Sequence, residues 1–367
     1  MLYISSPLAL SLATLLALTH AKECGRPSRS IALDQRPMTS GFRPPRSSNF
    51  APASSNSARG RPSSVDSGAS TTSSTAPRSS SSPSSSSSTT SPPPPSCDCG
   101  YILSTYGDAY FPYHRSINFE ALPSGILSSA NALNDLGLTI FDGQAMGGTG
   151  PDGTRSVCDL QNLAIDTDKA LTFTVPGGQP AGGQISAAEV YSSDEFLHGV
   201  FMGSMKFDQT PGTCQSMFTY QAGTGNDEQD IEVIGQTIFD RGDNGTPAGV
   251  QLTNWDPNDS SNTVNDNVIL PFPEDPTTSY HNYTIAWLPS GTKYYFDGGP
   301  LDSPTKYTSI NPSKLIFNHW TNGDKGFTAG PPTQDVVFKV RALDWYYATP
   351  GQQDVLAGCT MDQACRV

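Results

Sequence analysis

Between residue 97 and about residue 350, short apolar runs are separated by clusters of Gly, Pro, Asn and Asp. The runs are rich in Val, Ile, Phe, Tyr and Thr, which favour β-strands, and the clusters are typical of turns. Only Ser128–Leu138 comes near a helical period. The strands that we predict are Leu171–Val175, Gly199–Phe207, Ser216–Tyr220, Glu228–Ile234, Tyr283–Leu288, Lys293–Phe296, Leu315–Phe317 and Val336–Tyr346. Many strands with irregular connections indicate one all-β domain, an antiparallel β-sandwich or barrel.

The first 96 residues do not follow this pattern. Pro7–Leu18 is a short apolar run followed by small residues, which is typical of a signal peptide, here over residues 1–21. From residue 71 to residue 96, 24 of 26 residues are Ser, Thr or Pro, too polar to offset the entropy of ordering them. We expect residues 22–96 to be a disordered linker in a secreted protein, extracellular or in the cell wall. The predicted glycan sites are Asn244, Asn258 and Asn282.

The distribution of charge along the chain excludes some classes of binding partner. Residues 1–96 contain 9 Lys/Arg and 3 Asp/Glu, whereas residues 97–367 contain 12 Lys/Arg and 31 Asp/Glu. An acidic domain repels phosphates, so we expect no nucleic-acid partner. After the N-terminal run no stretch of about eighteen apolar residues occurs, so no membrane span is predicted. The protein is expected to be a monomer.

Six of the seven cysteines lie in the second part of the chain and allow fifteen disulfide pairings. Cys97 and Cys99 are too close together to pair comfortably. Cys359 and Cys365 are spaced to close a small loop, so we describe residues 351–367 as a tail with a cysteine pair. No C-x-x-C pair occurs, which disfavours a zinc site, and we predict no metal and no cofactor.

Three acids stand at alternate positions near the middle of the chain. Glu228, Asp230 and Glu232 share one face of a strand because side chains alternate with a period of two. At about 5 Å and an effective dielectric of about 20, two carboxylates repel by roughly 3 kcal/mol, or about two pKa units. One carboxyl should then keep its proton while a neighbour stays ionised, as glycoside hydrolysis requires. A solvated acidic face and a calcium ligand set are the alternatives.

The spacing of the two glutamates also matters. Residues i and i+4 of a straight strand lie about 13 Å apart at Cα. Glutamate side chains that lean inward on a curved strand would bring their carboxylates to about 5–5.5 Å, the separation of retaining glycosidases. Asp230 lies between them and would orient whichever neighbour is the nucleophile.

The sequence Glu228–Glu232 resembles the Glu-x-Asp-x-Glu signature of glycoside hydrolase family 16, in the form that has no inserted bulge residue. Within that family, the chain is most similar to the secreted fungal members. Further blocks agree in the family's order. They are residues 111–119 (FPYHRSINF), 188–191 (AEVY), 196–206 (FLHGVFMGSMK), 211–220 (PGTCQSMFTY), 281–289 (HNYTIAWLP), 294–298 (YYFDG), 318–323 (NHWTNG) and 327–332 (FTAGPP). The resemblance covers about residues 100–348, nearly the whole folded part.

The resemblance implies a β-jelly-roll sandwich with a concave substrate cleft over residues 97–350, and a retaining mechanism. Carried over by position, Glu228 is the nucleophile, Asp230 the helper and Glu232 the acid/base. Gln229 departs from the family, since relatives commonly place an aliphatic residue there, and a buried amide needs hydrogen-bond partners.

Aromatic side chains are the predicted contacts for the apolar faces of sugar rings. Trp320 and Phe327 are the preferred candidates, although relatives often have Trp at the position of Phe327, and Trp255 in loop-like sequence is a weaker one. The polar candidates are His281, placed before a strand, and Glu189. Trp287 and Trp345 lie in strand patterns and are expected in the core.

These observations predict a secreted, retaining, endo-acting β-glucanase that acts on cell-wall polysaccharide. A cell-wall transglycosylase with the same catalytic residues is the closest alternative, because the acceptor decides between the two reactions. A carbohydrate-binding lectin and a structural wall protein are alternatives from other classes, although neither needs an intact acid triplet. The linkage of the glucan stays open.

Overall fold

The computed structural model describes residues 97–146, 149–221, 227–261 and 263–367. The predicted signal peptide and linker lie outside the described residues. The strands are β1 Tyr101–Leu103, β2 Ala109–Phe111, β3 Tyr113–Asn118, β4 Gly125–Ile126, β5 Leu138–Ile140, β6 Ala145–Met146, β7 Arg155–Cys158, β8 Leu163–Ile165, β9 Leu171–Val175, β10 Gln184–Ser192, β11 Gly199–Lys206, β12 Cys214–Tyr220, β13 Glu228–Ile234, β14 Val250–Trp255, β15 Asn265–Leu270, β16 His281–Leu288, β17 Gly291–Phe296, β18 Gly299–Pro300, β19 Lys314–Trp320, β20 Val336–Tyr347 and β21 Cys365–Arg366.

Helical structure among the described residues is limited to single 3₁₀ turns. They are Ser104–Tyr106, Asn134–Leu136, Leu160–Asn162, Gly235–Thr237 and Met361–Gln363. Ser128–Leu138, which comes nearest to a helical period in the sequence, therefore contains one such turn. None of the helices in this part of the chain is long and apolar enough to cross a membrane.

Most strands belong to two nine-stranded sheets. The first sheet has the order β15-β14-β13-β12-β19-β10-β7-β6, with β5 also paired to β10. The second has the order β18-β17-β16-β11-β20-β9-β8-β4, with β3 also paired to β20. Nearly all neighbours are antiparallel, and β7 with β10 is a parallel pair. This architecture confirms the predicted all-β sandwich.

The core fills the space between the two sheets. The inward side chains of β13, including Ile231 and Val233, meet large aromatic side chains of the second sheet. Trp287 and Trp345 are fully buried in this core, as predicted from their strand patterns. Since inward residues alternate with outward ones, the core also fixes which side chains of the first sheet point away from it.

The two ends of the described chain meet in a small terminal sheet of order β2-β1-β21. Leu103 and Phe111 from this sheet pack on outward side chains of the second sheet. Two disulfides hold the ends together, Cys97–Cys365 and Cys99–Cys359. The expected small loop between Cys359 and Cys365 is therefore wrong, because the parallel pairing of β1 with β21 brings each of them beside an N-terminal cysteine instead.

Candidate active site

Strand β13 carries the three acids in the interior of the first sheet, between β12 and β14. The register runs without a shift from Cys214 opposite Ile234 to Tyr220 opposite Glu228. Ile231 and Val233 point into the core between the sheets. Glu228, Asp230 and Glu232 therefore all project from the outer face of the first sheet.

Two buried polar residues hold β13 in this position. Asp227 accepts hydrogen bonds from the backbone N–H groups of Ile310 (3.0 Å) and Asn311 (2.7 Å) immediately before the strand begins. Gln229 points to the core side, where its amide donates to Thr219 Oγ1 at 3.0 Å and accepts from the Thr292 hydroxyl. The nitrogen and the oxygen of this unusual glutamine thus each have a hydrogen-bond partner, and the strand keeps a regular geometry.

The acids are buried, with 8%, 4% and 6% of Glu228, Asp230 and Glu232 exposed. Asp230 forms a hydrogen bond with Glu228 and accepts another from Trp255 Nε1 at 3.0 Å. Glu232 Oε1 lies 3.6 Å from the sulfur of Cys214. Trp255 was expected in a loop, but it is the last residue of strand β14. Its hydrogen bond to Asp230 places it in direct contact with the acid triplet.

Burial and repulsion from neighbouring charges raise the pKa values of Glu228 and Asp230. Burial first, and the charge of Glu232 second, raise the pKa of Glu228 to about 8. Burial raises the pKa of Asp230 well above its usual range, and the charges of Glu228 and Glu232 raise it further. The hydrogen bond between Glu228 and Asp230 lowers the pKa of Glu228 and raises that of Asp230.

Aromatic and amide side chains adjoin the triplet on the same face. Tyr220 and Phe218 of β12 stand opposite Glu228 and Asp230. Across β12, Asn318 of β19 pairs with Ser216, which itself stands opposite Glu232. The register thus extends the outer face from β13 to β19.

Three of the predicted sugar contacts lie along this extension. Asn318 Nδ2 donates to Glu189 Oε2 at 3.3 Å, so Glu189 is brought to the outer face by β10. Trp320 lies opposite Cys214, and its ring centroid is 6.0 Å from that of Phe327. Sequence reasoning missed Asn318, and the strand register that reveals it is a non-local property.

His281 is not brought to the acids. It begins β16 in the second sheet, where its Nδ1 lies 2.7 Å from Asp297 Oδ2. Its Nε2 lies 2.9 Å from Ser279 Oγ, and its ring stacks on Phe296. The ring therefore has a structural environment, and the structure gives no support to the predicted contact of His281 with sugar. Among the described residues, no group of three or more His, Cys, Asp and Glu side chains is placed to hold a metal ion.

The family of this chain follows from comparison of its sequence with family models. The model described as glycosyl hydrolases family 16 matches residues 152–340, about half of the chain, and β13 lies inside the match. The chain belongs to glycosyl hydrolase family 16. The resemblance noted from the acid signature and its flanking blocks is thereby confirmed.

Named relatives in the family include both hydrolases and transferases. A β-glucanase of Paenibacillus polymyxa is 29% identical over 166 residues, which make up 43% of this chain and 62% of that protein. The chain thus spans less than two thirds of that relative's length. The Arabidopsis thaliana protein named xyloglucan endotransglucosylase/hydrolase protein 3 is 26% identical over 234 residues, 60% of this chain and 73% of that protein.

A solved structure shows the same fold. The β-glucanase of Bacillus licheniformis superimposes with a TM-score of 0.50 at 20% identity, covering 64% of this chain and 98% of that one. The likeness confirms the jelly-roll sandwich that the sequence predicts.

Proposed function

We propose that this family 16 member is a secreted, retaining, endo-acting β-glucan hydrolase, with Glu228 as nucleophile, Asp230 as its hydrogen-bonding helper and Glu232 as acid/base. The observation that carries the proposal is the outer face of β13, where three buried carboxyls stand side by side and Asp230 is hydrogen-bonded to Glu228. We assign the proton of that bond to Asp230. Retaining chemistry requires the nucleophile in its carboxylate form, and a protonated neighbour that donates a hydrogen bond stabilises that form.

The reaction uses the two glutamates in turn. A carboxylate oxygen of Glu228 attacks the anomeric carbon, the glycosidic C–O bond breaks, and Glu232 transfers its proton to the departing sugar oxygen. Glu232 then removes a proton from water, whose oxygen attacks the anomeric carbon and breaks the bond to Glu228. Each turnover returns both carboxyls to their starting protonation states and retains the anomeric configuration.

The outer face beside the triplet supports a saccharide substrate. We propose that Trp320 and Phe327 support sugar rings and that Glu189 and Asn318 bind their hydroxyl groups. Asn318 Oδ1 is buried and accepts no hydrogen bond from the residues that the structure describes, so it is available to a sugar hydroxyl. The names of the relatives favour a β-linked glucan polymer as the substrate.

A transglycosylase is the second candidate, because one relative is named as an endotransglucosylase/hydrolase. In that reaction, the hydroxyl of another sugar replaces water in the second step. Both candidates need the same three acids.

The deciding experiment incubates the full chain with β-1,3-, mixed-linkage and xyloglucan oligosaccharides and identifies the products by mass spectrometry. We expect shortened products, and products longer than the donor if transfer occurs. Glu228→Gln and Glu232→Gln should each lower kcat by about 10³-fold or more, whereas Glu120→Gln, on an exposed turn, should leave it unchanged.

Azide identifies the two roles separately. With an activated glycoside, Glu228→Ala should yield an α-glycosyl azide by a single displacement, and Glu232→Ala should yield a β-glycosyl azide. An active wild-type protein whose activity survives both Gln substitutions would rule out this assignment, and binding of glucan without turnover would favour a lectin.

A further inference from the structure

Two of the six cysteines that the structure describes lie outside the disulfides, and both are thiols buried in one apolar cluster beside Trp320. Cys214 belongs to β12 and Cys158 to β7, and β19 and β10 lie between these strands in the sheet. The Cys214 sulfur lies 3.6 Å from Glu232 Oε1 and 3.3 Å from Ser216 Oγ. One of the two buried thiols therefore touches the proposed acid/base.

The Cys214 sulfur acts on Glu232 as a thiol. Burial raises its pKa well above the usual range, and the neighbouring charge of Glu232 raises it further, so the sulfur keeps its proton. A thiol is a weak hydrogen-bond donor, whereas a hydroxyl in the same place would be a strong one. A strong donor would stabilise the carboxylate of Glu232 and lower its pKa, which would work against proton donation to the leaving sugar.

The strands that flank Glu232 place acids and neutral side chains beside it. Its own strand presents Glu228 and Asp230, and β14 places the neutral Gln251 opposite it. On the other side, Ser216 and Asn318 are neutral, and beyond them lies Glu189. The titratable groups in this set are acids and one thiol, and a charged acid among them repels the carboxylate of Glu232.

We propose that Cys214 is a positioning residue that fixes the orientation of the Glu232 carboxyl and lets it retain its proton at the working pH. The proposal rests on the proposed function, since it assigns Glu232 as acid/base. It predicts that the strength of the donor at position 214 sets the alkaline limit of activity.

Isosteric substitutions test the proposal in the full chain. Cys214→Thr and Cys214→Val have the same shape, but only Thr supplies a strong donor. We expect Cys214→Thr, and Cys214→Ser, to shift the alkaline limb of the kcat/KM profile to lower pH by about half to one unit. Cys214→Val should leave that limb in place or move it upward and lower kcat several-fold, because the carboxyl loses a polar contact. Cys158→Ser and Cys158→Val are the matched controls and should keep the wild-type profile.

A second measurement does not depend on turnover. Infrared titration of the carboxyl band that is lost in Glu232→Gln gives the protonation midpoint of Glu232 in each folded variant. The midpoint should be lower in Cys214→Thr than in Cys214→Val. Equal midpoints, or equal pH profiles, in these two variants would overturn the role of Cys214. Absence of turnover in the wild-type protein would contradict the proposed function, while the titration would still decide the role of Cys214.

Discussion

At the scale of single residues, the role that we propose for Asp230 is to hold the proton that makes its neighbour Glu228 an effective nucleophile. It is buried between two glutamates, and its contact with Trp255 Nε1 fixes the direction in which it points. The sequence indicated that the acids share a face, because alternation is a local property. It did not indicate Trp255 as their partner, because that contact depends on how β14 pairs with β13.

Loss of the indole donor should reduce activity while the acids stay in place. Trp255→Phe keeps an aromatic ring and removes a hydrogen bond worth about 1–2 kcal/mol, so kcat should fall about tenfold. Steady-state kinetics on the preferred glucan measures this change. Trp287→Phe removes a comparable bond, from Nε1 to the carbonyl oxygen of Ser309 in the core, and should lower the thermal midpoint without lowering kcat. An unchanged kcat in Trp255→Phe would remove that residue from the mechanism.

Asp230 should make the folded protein less stable as pH rises. Its pKa is higher in the folded state than in the unfolded state, so the folded state binds the extra proton above about pH 4. Asp230→Asn abolishes this titration, and its thermal midpoint should exceed that of wild type by about 2–4 °C at pH 7.5. The difference should shrink towards pH 4. A constant difference between pH 4 and pH 7.5 would contradict the raised pKa.

At the scale of elements, β19 connects the two sheets through a buried imidazole. His319 Nδ1 lies 2.8 Å from the carbonyl oxygen of Phe173 in β9, and Nε2 lies 2.9 Å from Thr213 Oγ1. Strands β9 and β19 were predicted from their apolar runs, because such a run is a feature of the local sequence. The sequence could not indicate the connection itself, because residues 173 and 319 are brought together only by the packing of two sheets.

His319 should make the sandwich sensitive to acid. Burial lowers the pKa of His319 to about 4. Between about pH 6.5 and pH 4, the imidazole is therefore protonated in the unfolded state but neutral in the folded state. The contribution of His319 to the free energy of unfolding is therefore largest above pH 6.5. It decreases by up to about 3 kcal/mol as the pH falls to 4. Urea unfolding of wild type and His319→Gln at pH 7.5, 6 and 4.5 measures it. The stability difference between the two proteins should narrow as pH falls, and a constant difference would contradict the assignment.

At the scale of the whole molecule, two disulfide bridges join the two ends of the described chain beside the second sheet. The bridges span 268 and 260 residues, and they close almost the same loop. The sequence left fifteen pairings open and favoured a local Cys359–Cys365 loop, because proximity in sequence was the available guide. The observed pairing depends on β21 lying beside β1, a contact between opposite ends of the domain.

Removal of the bridges should be strongly non-additive. Either bridge alone restricts the unfolded chain nearly as much as both, so Cys97→Ser with Cys365→Ser should cost about 1 kcal/mol or less. The same holds for Cys99→Ser with Cys359→Ser. Removing all four cysteines should cost about 2–5 kcal/mol. Urea unfolding of the three variants measures these costs, and additive single losses would contradict the shared-loop explanation.

The separation of the two buried thiols has a consequence for production of the protein. Strands β7 and β12 are three steps apart, about 14 Å, and a disulfide needs Cα atoms within about 7 Å. Once the first sheet has assembled, Cys158 and Cys214 are therefore kept apart by its architecture. Air oxidation of an unfolded preparation would instead trap scrambled isomers, so renaturation should begin under reducing conditions and oxidant should be added only after the strands have paired.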